Sequence, residues 1–193
     1  MLPIEIQARL RRPGAIEKNF LEYLQKSKAR VNMSKTIASQ VLYHQKPVAN
    51  QNIVQFFTGQ NFPGQSNIES TFTRPESEHF VIYGMRCFLG NLTEPGETAL
   101  SAYTLGITDS PFGDVNFLNS VFSLEINGIT LLKNVPLTEF DSLTTTNFAG
   151  MLLLNEPLLW QGQQQMKLTL KAKPGVTFGD FNVRFELYGI GLI

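Results

Sequence analysis

Chemistry at neutral pH needs groups that move protons, bind metals or attack carbon, and this chain of 193 residues has few of them. It holds two histidines, His44 and His79, and one cysteine, Cys87. Histidine is both the common near-neutral proton carrier and the commonest metal ligand, so multi-histidine metal sites and histidine relays are thinly supplied. Cys87 lies in the apolar run from His79 to Leu89 and reads as a small buried hydrophobe. A lone cysteine also excludes an intramolecular disulfide framework. Glu76-Ser77-Glu78-His79 gathers ionisable groups where a strand begins. That spacing specifies neither a Ser-His-acid triad nor a zinc site, and it reads as a solvated strand end. The oxygen-rich stretch from Thr108 to Asn116 lacks the ligand cadence of a calcium loop, and its Asp and Asn residues are ordinary turn formers. A Gly-Lys-Ser/Thr phosphate loop and a Gly-x-Ser-x-Gly elbow are both absent. We therefore expect no enzymatic activity, no cofactor, no metal and no small-molecule substrate.

The strongest signal is the distribution of charge. Residues 1–46 carry nine bases (Arg9, Arg11, Arg12, Lys18, Lys26, Lys28, Arg30, Lys35, Lys46) against three acids (Glu5, Glu17, Glu22), a balance of +6. Residues 47–193 carry seven bases and thirteen acids, a balance of −6, so the zero net charge hides a basic arm on an acidic body. A basic arm suits polyanions: nucleic acid, an anionic membrane face or the acidic surface of a neighbouring copy. Arg9, Arg11 and Arg12 best suit direct phosphate contact, because a guanidinium matches that geometry. Lys18, Lys26, Lys28 and Arg30 are the other candidate arm contacts.

The elements that must position these groups follow from hydrophobic periodicity. Ile16, Phe20 and Leu24 lie four apart with Leu21 beside them, which predicts an amphipathic helix over about residues 15–30 with that apolar face. The face packs on its own body, docks on a neighbour or meets a membrane; the pattern leaves all three open. Beyond residue 34 the signals are those of strands, expected at 36–43, 52–58, 67–73, 80–89 and 99–105. Asn127-Gly128 between apolar runs predicts a hairpin over 121–132, since both residues tolerate positive φ. Residues 166–173 and 181–188 alternate strictly, which predicts one face on a core and one on something polar. Lone Trp160, beside a run of glutamines, seals the rim of a core or stacks on a ligand. The expected organisation is an N-terminal arm, residues 1–46, followed by an all-β sandwich, residues 47–193. Hydrophobic residues at 42% and charged residues at 17% fit a folded body, and fifteen Phe suit contacts between sheets.

The arm, the segment Glu156 to Leu170 with its apolar run, polar turn and alternating strand, and the terminal strand Phe181 to Ile193 together resemble jelly-roll virion proteins of bacteriophages. That resemblance implies a single jelly-roll-like antiparallel β-sandwich and a capsid subunit that self-assembles. It further implies a homo-oligomer in a large assembly with other virion proteins, and arm contacts with neighbours, genome or an inner membrane. The first twelve residues contain no apolar signal core and no run is long enough to span a bilayer as a helix, so synthesis in a cytoplasm is expected; the resemblance implies a host cytoplasm and, as the final location, the virion. The alternative is a β-sandwich module that binds carbohydrate or a receptor, with Trp160, Tyr103 and the Asp109–Asn116 loop as its contact residues.

Overall fold

The computed structural model describes residues 36–59, 65–68, 72–76, 78–91, 119–140 and 150–192, together with Phe20, Glu22, Leu24 and Phe117. Their regular structure is all-β. Eight strands follow in order: β1 (Ile37–Pro47), β2 (Ile53–Phe56), β3 (Phe80–Asn91), β4 (Val121–Ile126), β5 (Ile129–Pro136), β6 (Met151–Trp160), β7 (Met166–Lys171) and β8 (Phe181–Leu192). They form two four-stranded sheets, β1-β8-β3-β6 and β2-β7-β4-β5. Every strand pair is antiparallel.

Alternating side chains make this a β-sandwich. On β8 the inward positions Phe181, Val183, Phe185 and Leu187 are buried, and on β7 Met166, Leu168 and Leu170 are fully buried. The two inner faces meet through aromatic rings: Phe185 of β8 lies 5.0 Å from Phe56 of β2 and 5.8 Å from Phe122 of β4. Phe140, in a short 3₁₀ turn after β5, closes this cluster 5.3 Å from Phe122. Phenylalanine fills such a space without any polar atom to satisfy, which accounts for its heavy use here. Further along β8 the inward positions become Gly189 and Gly191, and the ring of Phe80 occupies the room they leave. A Cβ on Gly189 would stand 2.5 Å from the tip of that ring, too close for any side chain.

The hairpin expected at 121–132 is present. Asn127 at φ 52 and Gly128 at φ 75 form the turn between β4 and β5, the paired positive φ values of a type I′ connection. Strands expected at 36–43, 52–58, 80–89, 166–173 and 181–188 correspond to β1, β2, β3, β7 and β8. Two expectations are corrected. Residues 67–73 do not form a strand where they are described. Ser66 makes a single bridge to His44, and Asn67 spends its amide on β1, accepting from Tyr43 N–H at 2.8 Å and donating to the Val41 carbonyl at 2.7 Å. The boundary placed between residues 46 and 47 cuts through β1, whose residues pair with β8 from Ile37↔Leu192 to Pro47↔Asn182, so the sandwich begins by residue 37. The expected strand at 99–105 lies outside the described residues.

Candidate functional site

Two features occupy the outer face of the first sheet. The first is a dock for the N-terminal segment. Phe20, Glu22 and Leu24 have helical backbone. Phe20 and Leu24 are fully buried against Val81 of β3 and Ile190 of β8, with Ile37, Tyr83 and Leu159 around them. Val81 and Ile190 are cross-strand partners, so one pair of outward apolar residues on the two central strands makes the floor. This cluster is separate from the main core between the sheets. Burying a Phe and a Leu contributes about 1.5–3 kcal/mol each, and ordering the segment offsets part of that gain.

The second feature is a buried polar cluster two residues away on β8. Arg184, Glu186 and Tyr188 share one face at strand spacing and are only 7%, 7% and 4% exposed. The Arg184 guanidinium is 2.6 Å from a Glu186 carboxylate oxygen and stacks 3.8 Å above the ring of Tyr43 on β1. The Tyr188 hydroxyl donates to the other Glu186 oxygen at 2.5 Å, and Arg86 of β3 lies over the Tyr188 ring at 5.4 Å. Burial first, and the Glu186 hydrogen bond and charge next, push the Tyr188 phenol up, so it stays protonated and donates. Removing one member of such a cluster strands the others without water, so it fixes the geometry of the face.

The outer face of the second sheet is different in kind. Val121, Ser123, Glu125 and Lys167 are partly exposed, Lys171 is exposed, and Lys167 pairs with Glu125 at 2.6 Å. Ile129 and Leu131 on the edge strand β5 are large apolar residues left open to solvent, at 64% and 39% exposure.

The residues singled out by sequence fall as follows. Phe20 and Leu24 of the helix face are in the dock; Ile16 and Leu21 lie outside the described residues. So do Arg9, Arg11, Arg12, Lys18, Lys26, Lys28 and Arg30, as well as Tyr103 and the 108–116 loop. Trp160 is fully buried in the main core, and its indole N–H donates to the Gln164 carbonyl at 2.8 Å. Its ring offers no exposed face, so the ligand-stacking role expected as an alternative does not hold for it. Cys87 is buried in the core and burial pushes its thiol up, which removes the thiolate a nucleophile needs. His79 accepts the Gly162 N–H at 3.2 Å, and Glu78 pairs with Arg74 at 3.4 Å, so this tract is built into the fold. Among the described residues no group of three His, Cys, Asp or Glu side chains could hold a metal ion. Sequence reasoning missed Tyr43, Arg86, Arg184, Glu186 and Tyr188. Their signal was present in the polar alternation of β8, but alternation alone cannot tell a solvated face from a covered one.

No protein-family model matches the chain, and no curated protein matches it either.

Proposed function

We propose that this chain is a virion structural protein of a bacteriophage, a single jelly-roll capsid subunit. It would self-assemble through its sandwich and use the N-terminal arm for contacts with neighbouring subunits, the genome or an inner membrane. The observation that carries this reading is the pairing pattern: β1 with β8, β2 with β7, β3 with β6, and β4 with β5. Those pairs are one long hairpin, with its tip between β4 and β5. Successive rungs fall alternately in the first and second sheet. Such a winding of eight strands over two sheets supports the jelly-roll reading. A fold alone does not give a function, and two further features add to it. The chain ends of the sandwich lie together, since Ile37 pairs with Leu192. The segment ahead of β1 is anchored at Phe20 and Leu24 on the first sheet, with Arg9, Arg11 and Arg12 upstream of the anchor and Lys26, Lys28 and Arg30 between it and β1. An amphipathic helix over the arm, about residues 15–30, belongs to the same proposal.

The test is the mass distribution of purified protein at low and high salt, by light scattering, for three chains. These are the full chain, the chain with Arg9, Arg11 and Arg12 replaced by Ala, and the chain with Phe20→Ser and Leu24→Ser. We expect the full chain to form large particles. The triple Ala variant should keep the melting temperature and lose a salt-sensitive part of the assembly. The double Ser variant should be cleaved by trypsin in the N-terminal segment at least ten times faster and assemble poorly. Small, salt-independent oligomers from all three, together with retention on a glycan array, would replace the capsid reading with a carbohydrate-binding module.

A further inference from the structure

Asparagine is one of the thermolabile residue types. The next backbone nitrogen can attack its side-chain carbonyl carbon, Cγ, and close a five-membered ring. The reaction needs a side chain free to move, a following residue with no side chain in the way, and a backbone N–H that no acceptor holds. The chain contains one Asn-Gly pair, Asn127-Gly128, at the tip of the β4–β5 hairpin. Both residues are exposed, and a Cβ on Gly128 would meet nothing within 4 Å. The closing rung of the hairpin is Ile126↔Ile129, which leaves Gly128 outside the ladder. Among the described residues its N–H has no acceptor and the Asn127 side-chain amide has no partner. The tip is tied to the rest of the sandwich by the Asn127 N–H, which donates to the Gln165 carbonyl at 2.8 Å.

The other described asparagines each fail a requirement. Ser120, which follows Asn119, is 1% exposed, and its N–H donates to the Phe117 carbonyl at 3.0 Å. Gln51, which follows Asn50, donates its N–H to the Val48 carbonyl at 3.1 Å. Asn67 spends both ends of its amide on β1. The rest precede Ile, Val, Leu or Glu, whose side chains crowd the nitrogen.

We propose that Asn127 is a self-modification site, where attack by the Gly128 nitrogen expels the side-chain nitrogen as ammonia and leaves aspartate or isoaspartate. The Gly128 nitrogen gives its proton to hydroxide and bonds to Cγ. The Cγ–Nδ2 bond breaks, and Nδ2 leaves as ammonia with a proton from water. The cyclic imide then takes up one water. Opening at Cγ restores the main chain with an aspartate. Opening at the main-chain carbonyl instead routes the chain through Cβ and Cγ, an isoaspartate with one more backbone carbon. The sum is one water in, one ammonia out and one carboxylate gained, with no oxidant or reductant. Ring closure needs a rotation about the Asn127 Cα–C bond away from its type I′ value, so the tip opens before it reacts. Loop tips open locally at small cost. Aspartate still suits a type I′ turn before glycine. Isoaspartate lengthens the connection, so the Ile126↔Ile129 rung no longer closes and the edge strand β5 loosens from its start. The inference is independent of the assembly reading.

The experiment holds full-length protein and the acetylated, amidated peptide Leu-Glu-Ile-Asn-Gly-Ile-Thr at 37 °C, at pH 6 and pH 8, for ten half-lives of the peptide reaction. Labelling by an isoaspartyl methyltransferase reads the product, and fragmentation mass spectrometry places it. Hydrogen exchange of residues 129–131 is measured on the modified fraction. We expect conversion at residue 127, faster at pH 8 than at pH 6, and about five to fifty times slower than in the peptide, the cost of opening the tip. Exchange at 129–131 should quicken in the isoaspartate form. Asn127→Gly keeps a turn that accepts positive φ and should remove the label. Phe185→Leu, which weakens the main core, should leave the rate at residue 127 unchanged. No conversion there by the end of the incubation, or earlier conversion at another asparagine, would overturn the proposal. So would a Phe185→Leu rate that rises with the loss of stability, because the reacting state would then be the unfolded chain and not the open tip.

Discussion

Replacing Phe185 by Asp is expected to unfold the sandwich. Phe185 is fully buried on the inner face of β8, with the rings of Phe56, Phe122 and Phe140 at 5.0, 5.8 and 6.0 Å. Those three rings come from β2, β4 and the 3₁₀ turn, so Phe185 is the point where the first sheet grips the second. Removing a buried Phe side chain costs about 3–5 kcal/mol. The carboxylate that replaces it has no donor among these rings, and burying it uncompensated costs several more. A domain of this size has roughly 5–15 kcal/mol of stability in all. The sum leaves little or nothing. Phe185→Leu, which keeps an apolar group of smaller volume, should lose only about 1–2 kcal/mol. Urea titrations followed by the fluorescence of Trp160, itself in the core, measure both. A Phe185→Asp protein that melts within a few degrees of the unmodified one would mean that β8 faces the other way.

What could be read from the sequence, and what could not, divides along the range of the interactions. The β4–β5 hairpin is written in two adjacent residues, Asn127 and Gly128, whose backbone preferences fix the turn whatever surrounds them. β7 and the inner face of β8 are written in strict alternation. β6 was not legible as a strand. Its leucines are interrupted by Asn155, Glu156 and Pro157, and only the partner strand shows that the two halves pair on either side of a bulge. Residues 67–73 erred in the other direction, because Ile68 and Phe72 supply apolar character while Ser66 and Asn67 are committed to capping the edge of β1. The body's start was misplaced because Lys46 was counted with the arm's bases. It is a strand residue whose charge is held by the carbonyls of a neighbouring strand and turn. Arg184, Glu186 and Tyr188 were read as a face on something polar. They are covered because Tyr43 and Arg86, distant in sequence, stand beside them. The candidate sites were the least legible part for the same reason: the dock and the buried cluster each join three or more segments.

Acid should destabilise this fold through His44. The imidazole is fully buried, stacked 4.5 Å from Phe72 and edged by Phe56 and Phe57. Its Nδ1 accepts the Phe57 N–H at 2.7 Å, so the neutral ring carries its proton on Nε2, which has no partner among the described residues. Protonating Nδ1 would set a donor against a donor and place a second cation near Lys46. Burial first, and the Lys46 charge second, hold the pKa down at about 3 against an ordinary 6.5. The unfolded chain therefore takes up a proton near pH 6.5 and the folded chain does not. The stability tied to a neutral His44 is complete above that value and is lost as the pH falls toward 3. Between those limits the slope is about 1.4 kcal/mol per pH unit, or roughly 2–3 kcal/mol between pH 6.5 and 4.5. His44→Asn keeps an acceptor near the Phe57 N–H and cannot titrate. It should be less stable at pH 7, because it loses the stack on Phe72, yet flatter in pH. Urea midpoints for both proteins at pH 7, 5.5 and 4.5 give the comparison, and the carboxylates they share drop out of the difference. The gap between the proteins should narrow as the pH falls. Parallel curves would mean that the ring takes up its proton without opening the clasp between β1 and the turn after β2, and that His44 is a packing residue with no hold on the fold's response to acid.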